Sequence, residues 1–326
     1  MGKSLEREKA IEPLSTWLEQ AETTANREGC EAAIEQAVVL FEQAYAYLPF
    51  IRRRGFDPVE RLRLLRSRLQ QTRRDFFGEL LSVFAELGDR HTSCYLPEPY
   101  TTSIAFLPFL VHEFFEEDER RLCVVASATD ELRRGDTLLS WNDAPLVETL
   151  ARHMTLQLGA NQDARRAKAI QTLTFRPLAS LPPPTGDVLL EAVSPEGRRR
   201  KLRLAWQVAR HASLSSYFPP TPEENDRQVT ENICVRLLET SFGTIGVIRI
   251  KSFQEQPDSF MRSFLTALEG IPSDGLLLDM RGCEEGVIPA AERLLQLFTP
   301  EKVEPQPFQF RLTELVRRMV KRSPAL

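Results

Sequence analysis

Two apolar runs, FGTIGVIRIKSF (242–253) and GLLLDM (275–280), are separated by a stretch over roughly 257–269 whose apolar positions recur at helical spacing. Adjacent parallel strands need a crossover connection, and a helix of this length supplies one. The pattern therefore predicts a βαβ unit. CVRLLET (234–240) adds a strand before it, and a helix is expected from about 287 to 298. Strands so continuously apolar belong inside an α/β core, which needs both sheet faces covered. With so few strands, the core that starts at 233 and runs to 326 reads as partial.

The chain ahead of this unit follows two other periods. Residues 5–88 read as helices, with Leu62, Leu65, Leu69, Phe76, Phe77, Leu80, Leu81 and Phe84 at helical spacing. Asp57 before Pro58 is an N-cap signature, and Gly88 reads as the stop. From about 101 the pattern becomes short strands: IAFLPFLVHEFF, RLCVVASA, then a turn, strand, turn and helix in ELRRGDTLLSWNDAPLVETL. Residues 161–178 read as helical, and DVLLEAV with RRKLRLAW as a hairpin across Ser194–Gly197. Polar, proline-rich 211–232 reads as a linker. The expected fold class is α+β and multi-domain: a helical region 1–100, a β domain 101–210, the linker 211–232 and the partial core 233–326.

At 326 residues, with 42% apolar and 27% charged positions, the chain has the make-up of a soluble globular protein. A net charge of −4 gives no global attraction to nucleic acid or an anionic membrane. Arg61, Arg63, Arg66, Arg68, Arg73 and Arg74 crowd one helix face, but acidic residues punctuate it and no aromatic platform accompanies it, so a solvated face is the expectation. No apolar run reaches a membrane span, and MGKSLEREKAIEPL has no secretory h-region. Five scattered cysteines without CxxC spacing point to a reducing compartment and to no zinc site. Cytoplasmic location, no cofactor and no metal are the expectations.

Three stretches in order carry a likeness to a known family. LGDRHTSCYLPEP (87–99) is similar to a leucine–x–Asp–x–His–Thr segment, LRRGDTLLSWNDAPL (132–146) to the signature of a PDZ domain, and FGTIGVIRIKSF with DGLLLDMRGCEEG (274–286) to a strand pair ending in a glycine-rich loop. Together they resemble the C-terminal processing, or tail-specific, serine peptidases, with the tricorn-core-like branch nearest. The likeness spans roughly 75–300. It implies a PDZ-like domain at 101–210, a peptidase core after it, and a polypeptide substrate or peptide C-terminus as partner.

His91 is the candidate general base: an unperturbed histidine titrates near neutrality, and the resemblance implies that role. The plainer alternative is a histidine that only bonds its own loop, with Asp89 and Thr92 serving either purpose. His112, His153 and His211 have no motif around them. The family's serine follows the glycine loop by several tens of residues, and nothing after Gly286 has that form. Ser323 lies before Pro324 without a following oxyanion N–H, and Ser93, Ser103, Ser213 and Ser215 fall in the wrong segments. The expectation is a chain without its nucleophile, inactive alone, either part of a longer enzyme or a short homologue that binds peptides without cutting them.

Gly282 and Gly286 occupy the family's oxyanion-loop position, where glycine lets the backbone turn its N–H groups inward. Glu284 and Glu285 would repel a developing oxyanion unless they face solvent. Cys283 is weighed as a nucleophile and read instead as a structural thiol. Phe106, Leu107 and Phe109 flank the place of a PDZ carboxylate loop, which would hold a peptide terminus while the peptide adds as a strand. Pro108 removes one N–H donor there.

Overall fold

The computed structural model describes residues 11–22, 27–68, 73–210, 227–272, 274–283, 286–305, 307 and 309–322. They fall into two compact units, 1–219 with 310–326, and 220–309.

In the first unit, β1 (Ile11–Pro13) precedes five helices: α1 (Leu14–Glu22), α2 (Arg27–Gln43), α3 (Leu48–Arg53), α4 (Pro58–Ser67) and α5 (Arg73–Glu86). Within the stretch 5–88 read as helical, Ile11–Pro13 is instead a strand, because the residue before a proline is pushed out of the α region and Pro13 follows Glu12. Asp57 caps α4 as expected, its Oδ1 accepting from the N–H of Val59 (3.0 Å) and Glu60 (3.4 Å). Leu62 and Leu65 of α4 and Phe76, Phe77, Leu80 and Leu81 of α5 are buried. Leu69 lies outside the described residues. Gly88 ends α5 at φ +66°, with its N–H on the Ala85 carbonyl.

The strands that follow are β2 (Ser103–Phe106), β3 (Phe109–Glu116), β4 (Glu119–Ser127), β5 (Thr137–Trp141) and β6 (Ala144–Pro145). Helices α6 (Leu146–Met154) and α7 (Gln162–Gln171) come next, then β7 (Phe175–Pro177), β8 (Val188–Val193), β9 (Arg199–Leu204) and β10 (Gln207–Arg210). One sheet has the order β1-β10-β2-β7 and the other β3-β4-β5-β8-β9, with β6 on β5. The helix expected over 161–178 is capped by Asn161 and stops at Gln171, and Phe175–Pro177 pairs with β2 instead. The β-favouring run Thr172–Phe175 ahead of Pro177 accounts for the change.

The signature at 135–143 is legible as turn chemistry. Gly135 takes φ +96°, and Asp136, 1% exposed, accepts the Arg133 N–H at 2.8 Å. Asn142 and Asp143 both adopt left-handed backbone, the two-residue turn that matches strand twist. The Asn142 N–H donates to the Leu189 carbonyl and its Oδ1 accepts the Leu189 N–H, each at 2.7 Å.

One apolar cluster runs from Leu14 and Trp17 through the helices to Val111, Leu138 and Val208. The helical and β regions thus share a core.

The second unit contains β11 (Arg227–Gln228), β12 (Ile233–Thr240), β13 (Gly243–Ile250), α8 (Pro257–Leu268), β14 (Leu276–Asp279) and α9 (Ile288–Gln296). β12 and β13 form an antiparallel hairpin, and β13 and β14 pair in parallel from Gly246↔Leu276 to Arg249↔Asp279. The predicted crossover is present. Phe260 and Phe264 of α8 and Ala290 of α9 are buried against Ile248, Ile250 and Phe253. Within the expected linker, residues 211–226 lie outside the described residues, and 227–228 form a strand on β12. The last helix, α10 (Glu314–Arg322), belongs to the first unit, where the Thr313 hydroxyl donates to the Gln43 carbonyl at 2.6 Å.

Candidate functional site

His91 lies on an exposed turn just past the end of α5, and Asp89 organises that turn. The Asp89 carboxylate accepts the His91 backbone N–H at 2.9 Å on one oxygen and the Thr92 hydroxyl at 2.6 Å on the other. It also accepts the Tyr45 hydroxyl, reaching over from the residues after α2. Burial, the Asp89 charge and that hydrogen bond together hold the Tyr45 phenol well above its ordinary range. Sequence reading missed Tyr45, whose position carries no motif. Among the described residues the His91 imidazole itself has no hydrogen-bond partner.

The imidazole borders a groove of about 600 Å³ between α2 and residues 91–95, with Leu40, Phe41 and Phe84 on its apolar side. Ser93 lines the same groove, but among the described residues no hydrogen bond joins it to His91.

The loop after β14 is shaped by Asp279, whose side chain is 4% exposed. It accepts the Arg281 backbone N–H and grips the Arg281 guanidinium. These bonds hold its carboxyl down to about 2 against the opposing effect of burial. Gly282 follows at φ +80°, a turn that glycine adopts without strain. At Gly286 the reason is close approach. A Cβ there would overlap the Cα and Cβ of Phe253, with which Gly286 forms an isolated parallel bridge. Cys283 is half-buried against the unit's core and its thiol is raised by burial, as a structural thiol should be. Glu284 and Glu285 lie outside the described residues.

In the β region, Phe106, Leu107 and Phe109 are each 0% exposed. Leu107 N–H donates to the Thr174 carbonyl and Phe109 N–H to the Leu107 carbonyl, so both donors are committed within the fold. The side chains named for peptide contact therefore point into the core, and a ligand at this segment would meet other groups. The sheet β3-β4-β5-β8-β9 has two edge strands among the described ones, β3 paired with β4 alone and β9 paired with β8 alone. Helix α7 packs beside β3, and Arg166 of α7 binds Glu113 of β3 at 2.8 Å with both side chains 19% exposed.

His153, given no role from sequence, is buried. Its Nδ1 lies 3.5 Å from Arg176 Nη2, and its Nε2 lies 3.0 Å from Thr172 Oγ1 and 3.3 Å from Gln157 Nε2. Burial and the Arg176 charge lower its pKa to about 3, leaving it neutral. His211 and Ser323 lie outside the described residues. Three of the six arginines of the arginine-rich face have ion pairs among the described residues: Arg63 with Glu42 (2.8 Å), Arg66 with Glu35 (3.0 Å), and Arg68 with Glu79 (4.0 Å). No helix of the described residues is long and apolar enough to cross a membrane, and they hold no cluster of metal-ligating side chains.

Comparison with known proteins finds a family likeness in one part of the chain. Residues 244–311 match peptidase family S41. The resemblance to C-terminal processing peptidases, read from the strand pair and its glycine loop, is thereby placed on the same residues. Beyond this segment the fold resembles that of solved structures. The crystal structure of mature CPAF superposes with a TM-score of 0.60 at 19% identity, covering 83% of this chain and 58% of that one. A CPAF serine-to-alanine mutant gives 0.62 at 18% identity, over 83% and 59%. At such identities the likeness is one of fold, and the chain spans less than two thirds of the CPAF chains. No curated protein sequence matches.

Proposed function

We propose that this chain is a serine-type endopeptidase-like protein of the tail-specific family, acting on polypeptides, and that residues 1–326 do not cleave peptides by themselves. The match of residues 244–311 to peptidase family S41 carries the reading. In it, His91 is the general base that takes the proton of a serine hydroxyl as the serine attacks the scissile carbonyl. Its exposed ring beside an apolar groove supports that role. The backbone around Gly282 and Gly286 is the oxyanion-loop position.

In this reading none of the described serines is the nucleophile. Incubating the chain with an unfolded protein substrate and a fluorophosphonate probe tests this. No cleavage and no labelled serine are expected, and a labelled serine within 1–326 would overturn the inactivity.

A second reading is favoured by one observation, the edge strand β3. A non-catalytic homologue would use that edge to add a peptide as a strand, through main-chain bonds rather than Phe106, Leu107 or Phe109. Saturable binding of a C-terminal peptide, lost when its carboxylate is amidated, would support it.

A further inference from the structure

A second cavity, of about 380 Å³, opens between the Asn142 turn, α6 and β7. Two of its lining side chains are arginines, Arg152 and Arg176, and none is acidic. Trp141, Leu156 and Leu173 supply apolar wall, while Thr149, Asn142 and Thr185 supply polar groups.

Arg176 is unusual in its surroundings. Its guanidinium stacks on the Trp206 ring at 5.3 Å and donates to neutral His153. Among the described residues it has no carboxylate partner, and its Nε–H is sealed from solvent without an acceptor. The Thr149 hydroxyl is likewise buried and unpartnered. A half-buried cation with a donor left over costs free energy unless a counter-ion completes it. Burial already depresses the Arg176 pKa to about 10. His153 cannot compensate, since it carries no negative charge.

We propose that this cavity binds a small molecule bearing a compact oxyanion, a phosphate or a carboxylate, with Arg176 and Arg152 holding the anion and Trp141, Leu156 and Leu173 taking the apolar remainder. A planar guanidinium offers paired donors that match either group. On the rim, Arg152 is solvent-exposed and adds charge without a folding role, whereas Arg176 is built into the packing. This site is separate from the His91 groove and does not depend on peptidase activity.

The test titrates the full chain with inorganic phosphate, and separately with acetate, at ionic strength held constant with sodium chloride. Thermal unfolding and the ring NMR signals of His153 are followed. A saturable rise in Tm with a matching shift at His153 is expected for at least one anion, and the preferred anion tells phosphate from carboxylate. Arg152→Gln should weaken binding by about tenfold, one lost charged contact. Arg176→Gln should abolish it, and Arg199→Gln on β9 should leave it unchanged. If Arg176→Gln does not fold, Arg152→Gln decides. No saturable response to either anion, or equal affinity in wild type and Arg152→Gln, overturns the proposal.

Discussion

Arg281 grips Asp279 at both carboxylate oxygens, Nε to Oδ1 at 2.8 Å and Nη2 to Oδ2 at 2.7 Å, two residues apart on the turn that leaves β14. The carboxylate is buried and the guanidinium is 78% exposed, so water screens part of the attraction. The pair fixes the turn that delivers Gly282, which is why an aspartate interrupts an otherwise apolar strand.

Asp279 has its folded pKa lowered from 3.8 to about 2. A depressed carboxyl stabilises the fold above its unfolded value, and that contribution is lost as the pH falls from near 3.8 toward 2. Asp279→Asn should cost about 1–2 kcal/mol at neutral pH and flatten the acid limb of stability. Denaturant melts of both proteins between pH 2 and 7 check this.

Gly286→Ala should be more damaging, because its Cβ meets the Phe253 backbone rather than a flexible side-chain end. A loss of about 2–4 kcal/mol is expected in the second unit. Gly282→Ala meets open space and carries only the cost of φ +80°, about 1 kcal/mol. Hydrogen exchange on the amides of β13 and β14 would rank the two. Equal protection in both variants would contradict the close-approach account.

At Tyr45 the largest cause of the raised phenol is burial, followed by the Asp89 charge and hydrogen bond. Asp89→Asn removes the charge, so the phenol should titrate earlier, toward 10.0, yet remain above it. The ultraviolet phenolate titration of Asp89→Asn against a Tyr45→Phe background assigns the change. The same variant loosens the His91 turn, so the His91 and Thr92 amides should exchange faster.

Asp57→Ala removes the cap of α4 together with the Arg52 contact at 2.8 Å. About 1 kcal/mol should be lost, read as a lower denaturant midpoint with an unchanged slope.

Much of this was legible in the chain. The βαβ unit showed because Leu276–Leu278 and the mostly apolar Ile245–Ile250, broken by Arg249, flank a helical period. The caps showed because Asp57-Pro58 and Gly88 have one physical meaning each. Strand β1 did not, since three residues ahead of a helix carry no period of their own and their pairing partner lies at Ala209. The burial of Phe106, Leu107 and Phe109 was hidden for a related reason: apolar residues at a loop read alike whether they wait for a ligand or fill a core. Arg176 and His153 were invisible as a pair because nothing local links them. Their neighbourhood is made by β7 and α6 packing together.

Pairing β1 with β10 ties Ile11 to Ala209, about 200 residues apart along the chain. During synthesis, then, the first sheet stays open at one edge until that distant strand has left the ribosome, and the helices between must hold their apolar faces without it. The slow step in forming the first unit should be this late closure. A chaperone acting on the nascent chain would find its best purchase on the interval before residue 210.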